Sequence, residues 1–543
     1  MRKRNAIGGV IIAFFLLALA AGFTYDYLDS LPKGEGKIFV KTEGNVNAGM
    51  LADVQKTADA FNDLLAEKMQ ATVSGDVQLF VTSEPEAYQA VLKREFQMKD
   101  HEAERVAKIS GGWTSGRIRV TVLNGSAGVM DGQNDQVSTT GHELFHQVQY
   151  ALSKGKDTDE NALFWLEEGS ADYVGAVVAE SMGKQRLEKW ERDRIHEMHS
   201  LQDVVRPEDL QHCTLEQRKV LMEQKKHAYQ MSDLMVIYLL QQQPENERMP
   251  KLAEYFRALG SSGDGEKAFE KTFQMPVKYF LQGFDQWLQQ MMHASADLRI
   301  VQREGVVPGV RENIESDMAR TQEFLQTVWG SGLHGEYCFV LAANPQDFAA
   351  AMRSELAMSE PETRTTAEQS LWIENGSSII LNAGKLDERQ QQIFSVAAMT
   401  ARVLQGQVAA SSLDQMEWLS RGSAYLVATH MLGKAQLGTM AQYKAAWLRK
   451  VHGASHGVPG LLELKTMKDW QKAQEKYGQD EPTNIAELAS LYLLEKHGWK
   501  SFYEWYVLTG KTGDAEKSFI KIYGKSSKAF AREFEASLVE KLY

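Results

Sequence analysis

The sequence predicts an α+β protein built from two tandem copies of one unit, each a small β-sheet followed by a mostly helical half, behind an apolar N-terminal leader or anchor helix. The chain repeats itself, and within a copy strand-like segments precede longer stretches with helical spacing. Only 11 of the 543 residues are proline, which favours helix and excludes long proline-rich linkers. Hydrophobic residues make up 43% and charged residues 24%, so a disordered chain and a multi-span membrane bundle are both excluded.

The N-terminal segment departs from this overall composition, which is typical of soluble globular proteins. Arg2, Lys3 and Arg4 are followed by residues 6–23, which carry no ionisable side chain. Residues 1–28 are therefore interpreted as a signal peptide or as a single membrane anchor, and the sequence leaves both alternatives open. Either one places the rest of the chain outside the cytoplasmic membrane, tethered there or secreted.

Three blocks of similar sequence occur in the same order in both halves of the chain. They begin at Val77 and Glu336, at Trp165 and Trp418, and at Gly263 and Gly513. Between the first two blocks, Trp113 aligns with Trp372. Chance similarity between amphipathic helices would not preserve this order, so the pattern indicates a duplication. The first copy is predicted over 37–294 and the second over 311–543, with 295–310 as a linker.

Hydrophobic periodicity predicts the elements of the first copy. A helical segment leads into a strand and a second helix, and apolar and polar residues then alternate over 117–123, which predicts another strand. The remainder is predicted to be mostly helical. The predicted segments are helix 50–70, strand 77–82, helix 85–96, strand 117–123, and helices 137–154, 163–182 and 229–242.

Charge and cysteine content narrow the classes of partner. The net charge is −12, and no basic block follows the first four residues, which argues against nucleic acid as a partner. Cys213 and Cys338 are the only cysteines, so no disulfide framework is expected. Whether these two cysteines pair is left open.

The segment GHELFHQ carries the chemistry. On a helix, His142 and His146 lie about one turn apart on the same face and can bind one metal ion. Glu143, beside the first histidine, can reach a metal-bound water without binding the metal. The predicted third ligand is Glu168 in WLEEGSADYV, and Asp172, four residues further on, is expected to accept a hydrogen bond from a ligand histidine.

Glu167 competes with Glu168 for the ligand role. Residues four apart share a helix face, and the residue four after Glu167 is Ala171, which cannot support a ligand histidine. Glu168 is therefore preferred.

HELFH followed by WLEEGSADYV resembles the gluzincin metallopeptidases, most closely the peptidase MA-like family of secreted or membrane-anchored bacterial proteins. The resemblance implies a zincin-like fold for each unit and one zinc ion per chain, bound in the first copy by His142, His146 and Glu168. It also implies Glu143 as general base and Asp172 as the residue that supports a ligand histidine. The gap between the second histidine and the glutamate is longer than in aminopeptidases of this group, and their G-x-M-E-N motif is absent. An endopeptidase is therefore preferred.

Two further roles follow from the resemblance, each with an alternative. Tyr229 is a candidate donor to the oxyanion and is equally compatible with a buried structural tyrosine, and His227 is a weaker candidate. The strand over 117–123 is a candidate edge strand that binds extended substrate through its backbone. The alternative is an ordinary central strand.

The second copy lacks every residue assigned to chemistry. Ala398 stands for His142, Met399 for Glu143, Arg402 for His146, Arg421 for Glu168, Tyr425 for Asp172 and Thr483 for Tyr229. Arginine repels a divalent cation and cannot bind one, so this copy is predicted to be metal-free and inactive. The two arginines are expected to pair with local carboxylates, or alternatively to bind an acidic group such as a peptide carboxylate.

The sequence thus predicts an extracytoplasmic zinc metallopeptidase that acts on a peptide or protein substrate. The alternative is a non-catalytic, zinc-containing envelope or surface binding module. Glu143 argues against this alternative, because a structural zinc site has no use for a positioned base.

Overall fold

The computed structural model describes residues 36–130, 132–157, 161–198, 201, 204–224, 227–293 and 296–542. The leader or anchor predicted over 1–28 lies outside these residues. Within the described part of the chain, no helix is both long and apolar enough to cross a membrane.

The chain divides into two compact units. Among the described residues, those within Met1–Leu187 and Asp203–Trp287 form the first unit, and those within Glu188–Gln202 and Leu288–Tyr543 form the second. Each contains a mixed four-stranded sheet and a larger helical part, so the α+β class is confirmed.

The sheet of the first unit is formed by β1 (Ile38–Glu43), β2 (Val77–Thr82), β3 (Gly112–Ser115) and β4 (Val120–Leu123). Its strand order is β1-β2-β4-β3, in which β1, β2 and β4 are parallel and β3 is antiparallel to β4. Strand β3 is therefore an edge strand of this sheet.

Eleven helices in the described residues are assigned before the second sheet. They are α1 (Ala48–Met69), α2 (Pro85–Phe96), α3 (Asp100–Ala107), α4 (Gln133–Ser153), α5 (Phe164–Ser181), α6 (Leu187–Met198), α7 (Leu215–Glu223), α8 (Ala228–Gln241), α9 (Arg248–Ser262), α10 (Gly265–Phe273) and α11 (Val277–His293).

The second unit has the same sheet order, β5-β6-β8-β7, with the same parallel and antiparallel pairings. Its strands are β5 (Asp297–Gln302), β6 (Glu336–Ala342), β7 (Trp372–Asn375) and β8 (Ser378–Asn382). Its helices are α12 (Val310–Trp329), α13 (Pro345–Leu356), α14 (Glu360–Gln369), α15 (Arg389–Ala409), α16 (Glu417–Lys434), α17 (Met440–Gly453), α18 (Met467–Tyr477), α19 (Glu481–His497), α20 (Trp499–Thr512), α21 (Ala515–Tyr523) and α22 (Ser527–Leu542).

Repeated sequence produces repeated local structure. In the GDGEKAF and GDAEKSF segments, an aspartate caps the following helix: Asp264 accepts a hydrogen bond from the backbone N–H of Lys267, and Asp514 accepts one from that of Lys517. The repeated tryptophans pack alike as well. Trp165 stacks on Phe280, and Trp418 stacks on Phe530, each inside its own unit.

Several strand predictions need correction. Residues 117–119 form the turn between β3 and β4, and β4 lies inside the sheet between β2 and β3. The alternative of a central strand is therefore correct for this segment, and the edge strand is β3. The segment 295–310, interpreted as a linker, contains β5, which pairs with β6. Short strands of this kind have a weak local pattern, and their partners are distant in sequence.

The alignment between the two copies is shifted by one residue in this region. Trp113 occupies the same register position in the β3–β4 pairing as Ile373 does in the β7–β8 pairing. Strand β4 in turn pairs with β2 as β8 pairs with β6. The alignment of Trp113 with Trp372 is therefore wrong, and Trp372 stands in the place of Gly112.

The structure also bears on the pairing of the cysteines and on the bounds of the first domain. Cys213 and Cys338 are both buried, and no disulfide joins them. The region 37–294, interpreted as one domain, also contributes residues 188–202 with most of helix α6 to the second compact unit.

Candidate metal centre

Helices α4 and α5 pack closely, and this contact positions the site. A Cβ atom built on Gly175 of α5 would lie 2.5 Å from the backbone oxygen of Ser138 and 3.4 Å from the backbone nitrogen of His142. Glycine at this position therefore lets α5 approach the turn of α4 that carries the first histidine.

The structure brings the three predicted ligands together. The Nε2 atoms of His142 and His146 are 3.0 Å apart. The Oε2 atom of Glu168 lies 3.7 Å from the first and 3.6 Å from the second. Among the residues that the structure describes, this is the one group of three or more histidine, cysteine or acidic side chains able to hold a metal ion.

The three atoms fit a tetrahedral zinc site. Two ligands about 2.05 Å from a tetrahedral ion are about 3.4 Å apart. The observed separations of 3.0, 3.6 and 3.7 Å fall on both sides of this value. Two imidazole nitrogens and one carboxylate are also the donor set of many catalytic zinc sites.

Each ligand histidine is oriented through its other ring nitrogen. The Nδ1 atom of His142 lies 2.8 Å from a carboxylate oxygen of Asp172, as predicted from the spacing of the sequence. The Nδ1 atom of His146 lies 2.6 Å from Oε1 of Gln149. Because both partner oxygens are acceptors, each Nδ1 carries a proton, and Nε2 is the ring nitrogen left to bind a metal.

Gln149 is itself fixed by the structure. Its amide nitrogen donates to the backbone oxygen of Glu167 and to the hydroxyl of Ser170, at 2.8 and 3.1 Å. The amide oxygen is therefore the atom that faces His146.

Loss of the Asp172 carboxylate is expected to weaken zinc binding. Asp172→Ala leaves Nδ1 of His142 without this acceptor, and supporting residues of this kind contribute about 10- to 100-fold to metal affinity. Asp172→Asn, which keeps an acceptor oxygen, is the matched variant and should lose less. Competition with a fluorescent zinc chelator measures both, and equal affinities for wild type and Asp172→Ala would contradict the assignment.

Glu143 lies beside the three ligands and is not one of them. Its Oε2 atom accepts a hydrogen bond of 2.6 Å from the hydroxyl of Thr114 on β3. A Cβ atom built on Gly112 would lie 2.5 Å from its Oε1 atom, so the glycine provides the space that this side chain occupies. Burial raises the pKa of the Glu143 carboxyl above its usual value, although the two histidines oppose the shift.

Arg218 on α7 separates the two adjacent glutamates into different roles. Its guanidinium donates to Oε2 of Glu167 at 2.6 Å and to Oε1 of Glu168 at 3.3 Å, and it lies over the ring of Phe164. Glu167 therefore pairs with the arginine, whereas Oε2 of Glu168 faces the histidines.

The ionisation states follow from these contacts. Burial alone lowers the pKa of His146, but the carboxylates of Glu168, Glu143 and Glu167 raise it to about 10. Burial raises the pKa of Glu168, but His146, Arg218 and His142 outweigh it and hold this pKa below its usual value. Without metal, the site is therefore an ion pair between a protonated histidine and a carboxylate. A metal ion must displace that proton, so metal affinity falls as the pH is lowered.

A cavity of about 490 Å³ lies over these residues. It is lined by the ligands, by Glu143 and Asp172, by Tyr229, and by β3 with the two residues that follow it. Burial, together with the carboxylates of Glu168, Asp172 and Glu143, raises the pKa of the Tyr229 phenol well above its usual value. The phenol therefore stays protonated and is able to donate a hydrogen bond. His227 is not among the residues that line the cavity.

The second unit has a different arrangement at the corresponding place. Ala398 and Met399 are buried, Arg402 donates to the hydroxyl of Ser420 at 2.7 Å, and Arg421 pairs with Oε1 of Glu417 at 2.5 Å. Arg402 also lies 3.7 Å from the same Glu417 oxygen, so the expectation that the two arginines pair with local carboxylates is confirmed.

Most of the residues that sequence reasoning missed reach the metal centre from other strands and helices. Thr114 and Gly112 come from a strand that was not predicted, and Arg218 from a helix 50 residues after Glu168. Gln149 could have been found from the sequence, because Gln405 occupies its position in the second copy. There Gln405 donates to the hydroxyl of Ser423 at 3.3 Å. A polar residue retained where the histidines are lost indicates a role in joining the helices.

No protein-family model matches the chain, and no curated protein matches it at a significant level. The function is therefore inferred from the residues and their geometry.

Proposed function

We propose that the protein is a zinc-dependent metallopeptidase whose active site lies in the first unit. One observation carries the proposal: a buried carboxylate, Glu143, is held by Thr114 beside a three-residue ligand set to which it does not belong. A site that only binds metal needs no such group, and a closed structural zinc site has four protein ligands.

His142, His146 and Glu168 would hold the ion, with Asp172 and Gln149 fixing the two imidazoles. Zinc bound in this way acts as a Lewis acid and lowers the pKa of water to near 7. Arg218 balances the negative charge of Glu167 and of the second oxygen of Glu168.

The protein side chains then move and hold the protons. Thr114 occupies Oε2 of Glu143, so Oε1 takes the proton of a water molecule that attacks the peptide carbonyl. The raised pKa of Glu143 suits a group that must keep this proton until it is passed to the leaving amine. Tyr229, protonated and facing the cavity, donates a hydrogen bond to the carbonyl oxygen as negative charge develops there.

A peptide is the substrate that the cavity favours. The edge strand β3 lines it, and such a strand can bind an extended chain through backbone hydrogen bonds. The HELFH and WLEEGSADYV motifs support membership of the peptidase MA-like gluzincins and endopeptidase activity. The apolar segment over 6–23 supports a location outside the cytoplasmic membrane, either anchored or secreted.

Metal analysis combined with a peptide-library assay tests the proposal on the chain from residue 29 onward and on its His142→Ala variant. About one zinc per chain is expected, together with hydrolysis that a chelator abolishes and zinc restores, and the variant should lose both. Two zinc ions per chain would contradict a metal-free second unit. One zinc without hydrolysis of any peptide would instead support the non-catalytic binding module.

A further inference from the structure

Helix α6 carries a buried polar stripe. Lys189, Arg192, Asp193 and His196 have the spacing i, i+3, i+4 and i+7, so they share one helix face. The first three are at most 9% exposed. Burying charged groups is costly unless they are paired, so this face requires a polar partner of matching shape.

The partner is the sheet of the second unit, to which these residues belong as a compact body. Oδ1 of Asp193 accepts hydrogen bonds from the backbone N–H of Ser377 at 2.9 Å and from its hydroxyl at 2.7 Å. The other oxygen of Asp193 pairs with Lys189. The ring of His196 packs edge-on against Tyr337 of β6, with 5.0 Å between ring centroids. Lys189 and both oxygens of Asp193 thus have polar partners, whereas His196 makes a ring contact.

The turn that receives Asp193 is shaped for it. Gly376, between β7 and β8, has φ of +58°, and a Cβ atom built there would lie 2.6 Å from Oδ1 of Asp193. Glycine therefore serves both the backbone conformation and the approach of the carboxylate.

This hairpin has a counterpart in the first unit. Strands β3 and β4 hold the same places in their sheet as β7 and β8 in theirs, and β3 lines the metal-centre cavity. The second unit thus presents to α6 the hairpin that corresponds to the one lining the cavity in the first unit.

The repeat shows that this placement of α6 is specific to the first copy. Its counterpart in the second copy, α17, follows α16 as α6 follows α5, and Trp447 is its one buried residue. Helix α17 is attached to the region of α19 by exposed ion pairs of Lys444 with Glu495 and of Lys450 with Asp480. Six of the twelve residues of α6 are buried.

The helices that flank α6 in the chain both carry residues of the metal centre. Helix α5, with Glu168 and Asp172, precedes α6, and α7, with Arg218, follows it. The described residues within Glu188–Gln202 belong to the second unit, whereas the described parts of the chain directly before and after them belong to the first.

We propose that the metal-free second unit is an intramolecular binding module whose ligand is α6, and that this attachment keeps α7 placed so that Arg218 stays on Glu167 and Glu168. The second copy has therefore exchanged catalysis for the binding of a helix from the first. The effect on zinc affinity rests on the proposed metal centre, whereas the attachment itself does not.

Hydrogen exchange of the metal-free full chain, followed by mass spectrometry, tests the attachment. Asp193→Ala should raise exchange at least about tenfold in 187–198 and also in 204–224. The matched control is Asp317→Ala, which removes the ion pair of another buried aspartate of the second unit with Arg389. The control should leave 204–224 unchanged.

Unchanged exchange in 204–224 for Asp193→Ala, with faster exchange in 187–198, would overturn the proposal, because α6 would then be packed without holding α7. If Asp193→Ala does not fold, Ser377→Ala removes only one of the two hydrogen bonds and should give the same pattern at smaller amplitude. Zinc titration of the same proteins should show about three- to tenfold weaker binding for Asp193→Ala than for Asp317→Ala. Exchange needs neither zinc nor turnover, so failure of the peptidase proposal is distinguishable from failure of this one.

Discussion

Replacement of Glu143 by glutamine is expected to lower kcat for peptide hydrolysis by about 10²- to 10⁴-fold and to leave the zinc content unchanged. Glutamine has the size and shape of glutamate but cannot take a proton. Its side-chain oxygen can still accept the hydrogen bond that Thr114 donates to Oε2 of the glutamate at 2.6 Å, so its position is preserved. The ligand set of His142, His146 and Glu168 is untouched, which separates loss of the base from loss of the metal.

The chain offers a matched control for this variant. Glu487 on α19 is 4% exposed, and burial raises the pKa of its carboxyl to about 8. Glu487→Gln is thus the same neutral change of a buried carboxyl, made in the second unit, and kcat should stay within about twofold. Equal loss in both variants would point to a general effect on folding, and an active Glu143→Gln protein would show that another group takes the proton.

The core of the site was predictable because its geometry is local. His142 and His146 are held on one face by the helical repeat alone, and Asp172 follows Glu168 by one turn of a second helix. That these two turns come together was inferred from the requirement for a third ligand, and the resemblance implies the same. The contacts of Thr114 and Arg218 could not be predicted. Each residue lies on an element whose local sequence does not indicate which other element it packs against.

The same distinction between local and long-range determinants applies to the fold. The strand over 77–82 has the predicted bounds, because its side chains are mostly apolar and it lies inside the sheet. Strands β1 and β5 were missed, because each is an edge strand with charged residues and pairs with a segment more than 30 residues away. The placement of α6 was likewise hidden. A polar stripe is typical of a solvated helix face, and only the partner in the second unit shows that it is buried.

Replacement of Gly112 by alanine is expected to lower kcat by about 10²-fold while zinc binding and folding are retained. A Cβ atom at this position would lie 2.5 Å from Oε1 of Glu143 and 2.6 Å from its Cγ and Cδ atoms, so the whole side chain must move. Zinc content, thermal unfolding and peptide hydrolysis measure the three properties separately.

The neighbouring residue provides the control. A Cβ atom on Gly111 would meet only side-chain methyl groups of Thr139 and Val129, both at 3.7 Å, which is ordinary contact. Gly111→Ala should therefore keep kcat within about twofold. A similar loss in both alanine variants would show that the strand, and not the space for Glu143, is affected.

The second copy supports this interpretation of Gly112. Trp372 holds the register position of Gly112, and Met399 stands in the place of Glu143, so the small residue and the carboxylate are absent together. If Gly112→Ala acts only by displacing the base, the change should have no further effect on kcat in the Glu143→Gln background. Additive losses in the double variant would mean that Gly112 acts on the substrate side of the cavity, along the edge strand that lines it.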